Sequence, residues 1–482
     1  MNKNIIKIAL LAIPLSLISV SCDRELDQNS YSKVNDEVAF QDPSNFTGAL
    51  LSSYAQGRLN YSGDTGNLLG ITDIFTDNLI LSPDGRYSNS STYVWNITPT
   101  NAGVTGVYTN AYLSVNRANT VLKYLNNLPT GEFRTNVEAE ARALRALWHF
   151  DIVRSYCKIP TQSSDANASL GIAYLTEFAP ETYTTRDLNV SQVYEKIVSD
   201  LEFAAEHLTI KSPDKNRFTK EAVLGLLSRV YLYMGEYDKA IEAGKKSLAI
   251  VDDPGSLNSF NKIFTEDDAT GVLLKFSNSL LDNIGVGTVF QQDFGKKGIK
   301  AEYAVEKDLY DMYSNDDVRK STYIKTTVYN NNSYNVVVKY QNAGQNRPDN
   351  VVDVKYLRTA EVYLNVAEAA YRKGDAQLAL EMLNALRTNR YQNYTIGNES
   401  GNDLLDAILK ERRLELAFEA DRFYTLKRLG LSVQRSGKGP YADGSGNPNS
   451  KQNLPASSNY WQWPIPQSEI NINKDLKQNP GY

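Results

Sequence analysis

An internal repeat constrains the fold more than any other feature. The segment "LLSRVYLYMGEYDKAIEAGKKSL" aligns with "VAEAAYRKGDAQLALEMLNALR", setting Gly235 against Gly374 and Ala240 against Ala379. Each copy reads as a helix, a tight turn at glycine, and a second helix whose alanine faces the first. Glycine accepts the left-handed backbone such a turn needs, and alanine lets two helices approach closely. One copy cannot bury its own apolar face, so copies must stack.

This is the packing grammar of a tetratricopeptide unit, whose repeat runs about 34 residues. Further helical stretches surround the two copies. "NFTGALLSSYAQGRL" precedes "GVYTNAYLSVNRANTVLKYLNNL", where Val107, Tyr112, Val115, Ala118, Val121, Leu122 and Leu125 fall close to the helical period. "NVEAEARALRALWHFDIVRSY", ending near Pro160, "VSQVYEKIVSDLEFAAEHL" and "DLLDAILKERRLELAFEADRFYTLKRLG" also read as helices. The expected class is mainly α: a tetratricopeptide-like helical scaffold with irregular loops. A small strand-containing insert is expected over about 255–350, where "TGVLLKFSNS" and "STYIKTTVYNNNSYNVVVKY" alternate β-branched and aromatic residues around Asn-rich turns. "TDIFTDNLILSPDGRYSNSSTYVWNITPTNAG" reads as loop, "TQSSDANASLGIAYLTEFAPETYTTRD" as an irregular arm, "SGKGPYADGSGNPNSKQN" as an exposed loop and "YWQWPIPQSEININKDLKQNPGY" as an extended tail.

The N-terminus "MNKNIIKIALLAIPLSLISVSC" has two lysines, an apolar run broken by Pro14, and small residues leading into Cys22. This is a secretory signal over 1–21, too short to remain as a membrane-spanning helix. Small residues running straight into cysteine resemble the lipobox of a bacterial lipoprotein, although Ser19 stands where leucine is usual. Cys22 is the expected lipidation site, followed by a polar tether over 22–40 and one domain over 41–482. Anchoring to a bilayer through several acyl chains is stable, whereas one chain is marginal.

The chain carries a net charge of −5; residues 1–21 hold two lysines and no acids, so their removal leaves −7. With no basic block, nucleic acid is not an expected partner. After Cys22 only Cys157 remains, in an apolar helical pattern that marks it as a core residue. His149 and His207 are too few for a typical zinc site, and no cofactor or metal is expected. No P-loop, HExxH or GxSxG stands in a supporting context. Glu411, Arg412, Glu415, Glu419 and Arg422 share helix faces, which suits ion pairs to neighbouring helices better than a catalytic acid pair. Asp316 and Asp317 in "NDDVR" read as a solvated turn. The chain is not expected to be an enzyme.

Four segments, in order, resemble the SusD/RagB family of outer-membrane lipoproteins: "SCDRELD", "RALRALWHFDIVRSYCKIP", "YLRTAEVYLNVAEAAYRKGDAQLALEMLNALRTNR", and "LKERRLELAFEADRFYTLKRLG" with "WPIPQSEININKDLKQNPGY". Where family members often carry Gly-His after Phe-Glu, this chain has Ala420 and Asp421. Its helix is expected to survive there, because Ala is the better helix former. The resemblance implies a protein on the outer face of the outer membrane. It implies a SusC-like TonB-dependent transporter as partner and a nutrient ligand, mostly glycan or oligosaccharide, with peptide uptake in some members. An adaptor binding only proteins is the competing reading of the helical scaffold. The resemblance also places the binding region in the loops ahead of the signature helices. Trp95 therefore leads the candidate ligand contacts, with Tyr87, Tyr93 and Asn96 beside it and Phe290 and Tyr303 as an opposite wall. The chain holds 31 tyrosines against 15 phenylalanines, and such rings join an apolar face to a polar hydroxyl that sugars can use.

Overall fold

A computed structural model describes residues 36–63, 66–179, 181–341, 348–448 and 451–482. The signal segment, Cys22 and most of the expected tether lie outside the described residues. The last part of that tether is not free chain. Asp36–Ala39 is helical, and Phe40 is buried with its ring 4.8 Å from Phe46 and stacked on Tyr124 at 5.0 Å.

The scaffold is a row of antiparallel helix pairs. They are α1 (Pro43–Ser62) with α2 (Ala102–Tyr124), α3 (Glu132–Tyr156) with α4 (Val190–His207), α5 (Lys220–Met234) with α6 (Tyr237–Leu248), and α7 (Thr359–Lys373) with α8 (Ala376–Arg387). Each helix packs on the next in the row, and α9 (Gly401–Glu415) closes it against α7.

 

The second copy of the repeat lies against the first although more than 100 residues separate them in the chain. Both turns close alike. Gly235 (φ 79°) donates from its N–H to Leu232 O, and Glu236 N–H reaches Tyr231 O; Gly374 (φ 91°) donates to Tyr371 O, and Asp375 N–H reaches Ala370 O. This paired closure satisfies helix-end carbonyls and needs a left-handed residue. Ala240 and Ala379 are fully buried between their helices. A side chain on Gly244 would collide with Val366, so glycine sets how closely α6 and α7 approach.

The strands expected in the insert form, and they recruit partners from outside it. One antiparallel sheet runs in the order β1 (Leu79–Leu81), β5 (Tyr303–Val305), β7 (Asn332–Val337), β6 (Ile324–Tyr329). β6 and β7 are joined by Asn330 and Asn331, both at positive φ (48° and 66°), the backbone that two-residue hairpin turns prefer. β2 (Val272–Phe276) pairs with β8 (Val354–Arg358), which runs straight into α7. β3 (Gln291–Asp293) and β4 (Ile299–Ala301) form a short ribbon. Phe276 ties the strands to the helices, stacking on Trp148 at 5.7 Å and lying 5.6 Å from Tyr61.

Three expectations need correction. The stretch read as loop before α2, which starts at Thr72, opens on the last turn of a buried helix, Leu68–Phe75, and also contains β1. The tail is not simply extended: Trp461 and Trp463 are buried against Phe423, and Trp463 N–H donates to Ser155 O at 3.1 Å. The signature helix does not run through Ala420. It stops at Glu415 and resumes over Arg422–Arg428, with Phe418 (φ 68°) and Ala420 (φ 62°) left-handed in between. Helix propensity is therefore the wrong criterion at that position. The backbone instead favours glycine, and alanine sits there under strain.

Candidate functional site

The charged signature is structural. Glu415 accepts from Arg358 Nη1 at 2.7 Å, Arg390 Nε at 2.8 Å and Arg319 Nη1 at 3.1 Å, while Glu411 accepts from Arg387 Nε at 2.8 Å. These side chains are buried, as the ion-pair reading expects. Asp317 is not a solvated turn residue. It is buried, caps the helix Val318–Tyr323 through Arg319 N–H, and pairs with the Arg319 guanidinium at 2.8 Å.

Four of the six residues expected to touch ligand are part of the packing. Trp95 is 5 % exposed; its indole N–H donates to Phe75 O at 2.9 Å. The Arg435 guanidinium lies 4.4 Å from the Trp95 ring centroid and 3.8 Å from that of Tyr93, and donates to Tyr93 O at 2.9 Å. Tyr93 is buried 5.9 Å from the buried ring of Tyr303. Phe290 is buried too, stacked on Tyr340 at 5.9 Å. A sugar cannot stack on a ring whose faces are already covered. The Tyr87 side of the loop differs: Tyr87 is 52 % exposed, and Asn96 is exposed.

The buried members hold up a loop face. Behind Tyr87, Arg86 binds Glu302 twice, through its backbone N–H at 2.6 Å and through Nε at 3.0 Å. Glu302 also pairs with Lys300 at 3.1 Å, and Lys300 lies 5.4 Å from the Phe294 ring centroid. Phe294 is 46 % exposed and 5.9 Å from the half-buried Tyr329 at the β6–β7 turn. From that turn Asn330 Nδ2 donates to Asp84 Oδ1 at 3.0 Å, and Tyr334 O–H donates to the other Asp84 oxygen. These contacts link Asp84–Tyr87, the β3–β4 turn and the β6–β7 turn into one connected surface. It presents three aromatic rings among amide, carboxylate and cationic groups. Such a surface can stack on the C–H faces of a sugar and hydrogen-bond its hydroxyls.

Phe294 and Tyr329 escaped the sequence reading, yet a signal was there. Phe294 precedes a turn with Gly295 and Gly298 at positive φ, and Tyr329 precedes Asn330 and Asn331. An aromatic at the tip of a tight turn has little around it to bury it. In the helix Leu68–Phe75, the buried Asp73 carboxylate accepts from Asn78 Nδ2 at 2.7 Å and from the N–H groups of Phe418 and Ala420 at 3.3 and 3.4 Å. Burial raises its carboxyl to about 7, and these hydrogen bonds offset only part of that.

Comparison with known proteins covers almost the whole described chain. Residues 245–482 match a family model described as the SusD family, and residues 26–232 match one described as "Starch-binding associating with outer membrane". A SusD-like protein of Formosa agariphila is 24 % identical over 99 % of both chains. A solved putative sugar binding protein of Bacteroides vulgatus is 25 % identical, with a TM-score of 0.78 over 91 % of this chain and 98 % of that one. A laminarin binding SusD-like protein has the same fold at 21 % identity, with a TM-score of 0.68 over 91 % of this chain and 99 % of that one.

Proposed function

The chain belongs to the SusD/RagB family, and we propose that it is a cell-surface lipoprotein that binds glycan without altering it. Acylated Cys22 anchors it to the outer membrane, facing outward, and it delivers captured oligosaccharide to a SusC-like TonB-dependent transporter. The observation that carries the binding reading is the connected loop face, where the exposed rings of Tyr87 and Phe294 and the half-buried ring of Tyr329 stand among hydrogen-bonding groups. Related proteins described as sugar binding and laminarin binding support the ligand class. The description of the N-terminal match as associating with the outer membrane supports the location.

Asn96 and Tyr87 remain ligand-contact candidates on this reading. Trp95, Tyr93, Tyr303 and Phe290 become the platform that holds the loop. A glycan array tests the ligand class: the protein binds oligosaccharides and releases them uncleaved, whereas an adaptor for proteins alone binds none. Membrane fractionation tests the anchor. Cys22→Ala moves the protein to the soluble fraction; retention of that variant in the membrane would overturn lipid anchoring.

A further inference from the structure

A cleft of about 380 Å³ opens elsewhere, between the first half of α2, the arm around residues 173–184 and the C-terminal segment around residues 469–476. Its walls come from none of the elements that build the loop face. It is of ligand size and is held open by backbone tethers: Tyr112 O–H donates to Ala173 O at 2.8 Å, Asn473 Nδ2 donates to Thr184 O at 3.2 Å, and Arg186 Nη1 donates to Lys477 O at 2.8 Å. Tyr183 and Ile472 line the cleft at 70 % and 64 % exposed, so their apolar surfaces are open to a ligand there.

The lining charge is one-sided. Glu469 is half-buried in the lining, makes no side-chain hydrogen bond or ion pair with any described residue, and has no lysine or arginine beside it among the lining residues. Burial raises its carboxyl, and no opposing contact from a described residue lowers it. The Tyr108 and Tyr112 rings lie 4.7 Å apart in the same wall. The half-buried Tyr112 ring and an unpaired carboxylate together favour a cation, while the exposed ring of Tyr183 offers a surface for the rest of the ligand.

We propose that this cleft is a second ligand site, which takes an amine-bearing saccharide with its ammonium group at Glu469 and its sugar ring against Tyr183. The site is separate from the loop face and does not depend on glycan binding there.

Calorimetric titration of the purified protein with a glucosamine trimer and with its N-acetylated counterpart tests the assignment, because acetylation removes the charge and keeps the sugar. The glucosamine trimer is expected to bind at least about tenfold more tightly. Glu469→Gln removes that preference, and Tyr183→Ala weakens the amine-bearing trimer. Thermal unfolding checks that the two cleft variants remain folded; Tyr183 is so exposed that its replacement leaves the core intact. Equal binding of the two trimers, no binding of either, or an unchanged preference in Glu469→Gln overturns the proposal. Trilysine binding as tightly as the glucosamine trimer overturns the saccharide assignment. Loss of neutral glycan binding in Tyr87→Ala bears only on the loop face, so the two readings fail independently.

Discussion

Arg358 and Glu415 are locked together out of solvent: Arg358 Nη1 donates to Glu415 Oε1 at 2.7 Å, and Nη2 donates to the Glu415 backbone carbonyl at 2.9 Å. The pair joins the end of β8 to the end of the signature helix, so the strand insert, the second repeat and the C-terminal segment meet at one carboxylate. Removing that charge leaves the buried Arg390 without a carboxylate and takes one of several from Arg358 and Arg319, which keep Glu419 and Asp317. Glu415→Gln is expected to cost about 3–5 kcal/mol of stability, read from urea unfolding. A cost below about 1 kcal/mol would show that the network contributes little.

The same carboxylates set the response to acid. Burial alone would raise Glu361 and Glu368, yet Arg229 holds the first and Arg428 the second at about 2, below the ordinary 4.5. Their folded-state values are depressed, so their contribution is present above about pH 4.5 and is lost as pH falls toward 2. Unfolding free energy should therefore drop steeply between pH 5 and pH 2, on the order of a few kcal/mol. Glu361→Gln should flatten that slope while lowering stability at neutral pH. An unchanged slope in the variant would contradict the assignment.

Asp73 works in the opposite direction. Its carboxyl is raised from 3.8 to about 7, so its contribution is present below about pH 4 and is lost as pH rises through about 7. Asp73→Asn should reduce the loss of stability between pH 5.5 and pH 8. Urea unfolding at the two pH values measures it, and an equal loss in both proteins counts against a raised Asp73.

Ala420 occupies backbone that glycine tolerates better, at φ 62°. Ala420→Gly should stabilise the fold by about 1 kcal/mol, because relief of the left-handed strain exceeds the added chain entropy of glycine. Chemical denaturation gives the sign directly. A loss of stability would show that the alanine methyl contributes more packing than the strain costs.

Trp95 and Tyr87 separate platform from contact. Trp95→Ala removes a buried ring and the indole bond to Phe75 O, at an expected cost of about 3–5 kcal/mol. Tyr87→Ala touches an exposed ring and should change stability by less than about 0.5 kcal/mol. Unfolding curves distinguish the two. A small effect of Trp95→Ala would mean that its ring is not part of the core.

The helical scaffold was legible because its signals are local. Gly235 and Gly374, each followed five residues later by an alanine, mark both turns and both close approaches within a short stretch of chain. The strands of the insert were legible for the same reason, since Asn330 and Asn331 announce the turn between alternating runs. Trp95 was misjudged because what covers it is distant in sequence. Arg435 reaches it from the C-terminal part of the chain, and Phe75, its hydrogen-bond acceptor, lies in a helix that the Ser- and Asn-rich surroundings obscured. The break after Glu415 was equally hidden. A run of helix-favouring residues gives no local warning that Asp73, more than 300 residues earlier, will bind the backbone at Phe418 and Ala420.

Isothermal titration of a neutral oligosaccharide panel, including laminarin fragments, into the wild-type protein and a Tyr87→Ala/Phe294→Ala variant tests the central claim most directly. The wild type is predicted to bind at least one member, with affinity falling at least about tenfold in the folded variant. Binding of the same strength in both proteins, or no binding by the wild type, would contradict the assignment of the loop face as the glycan site.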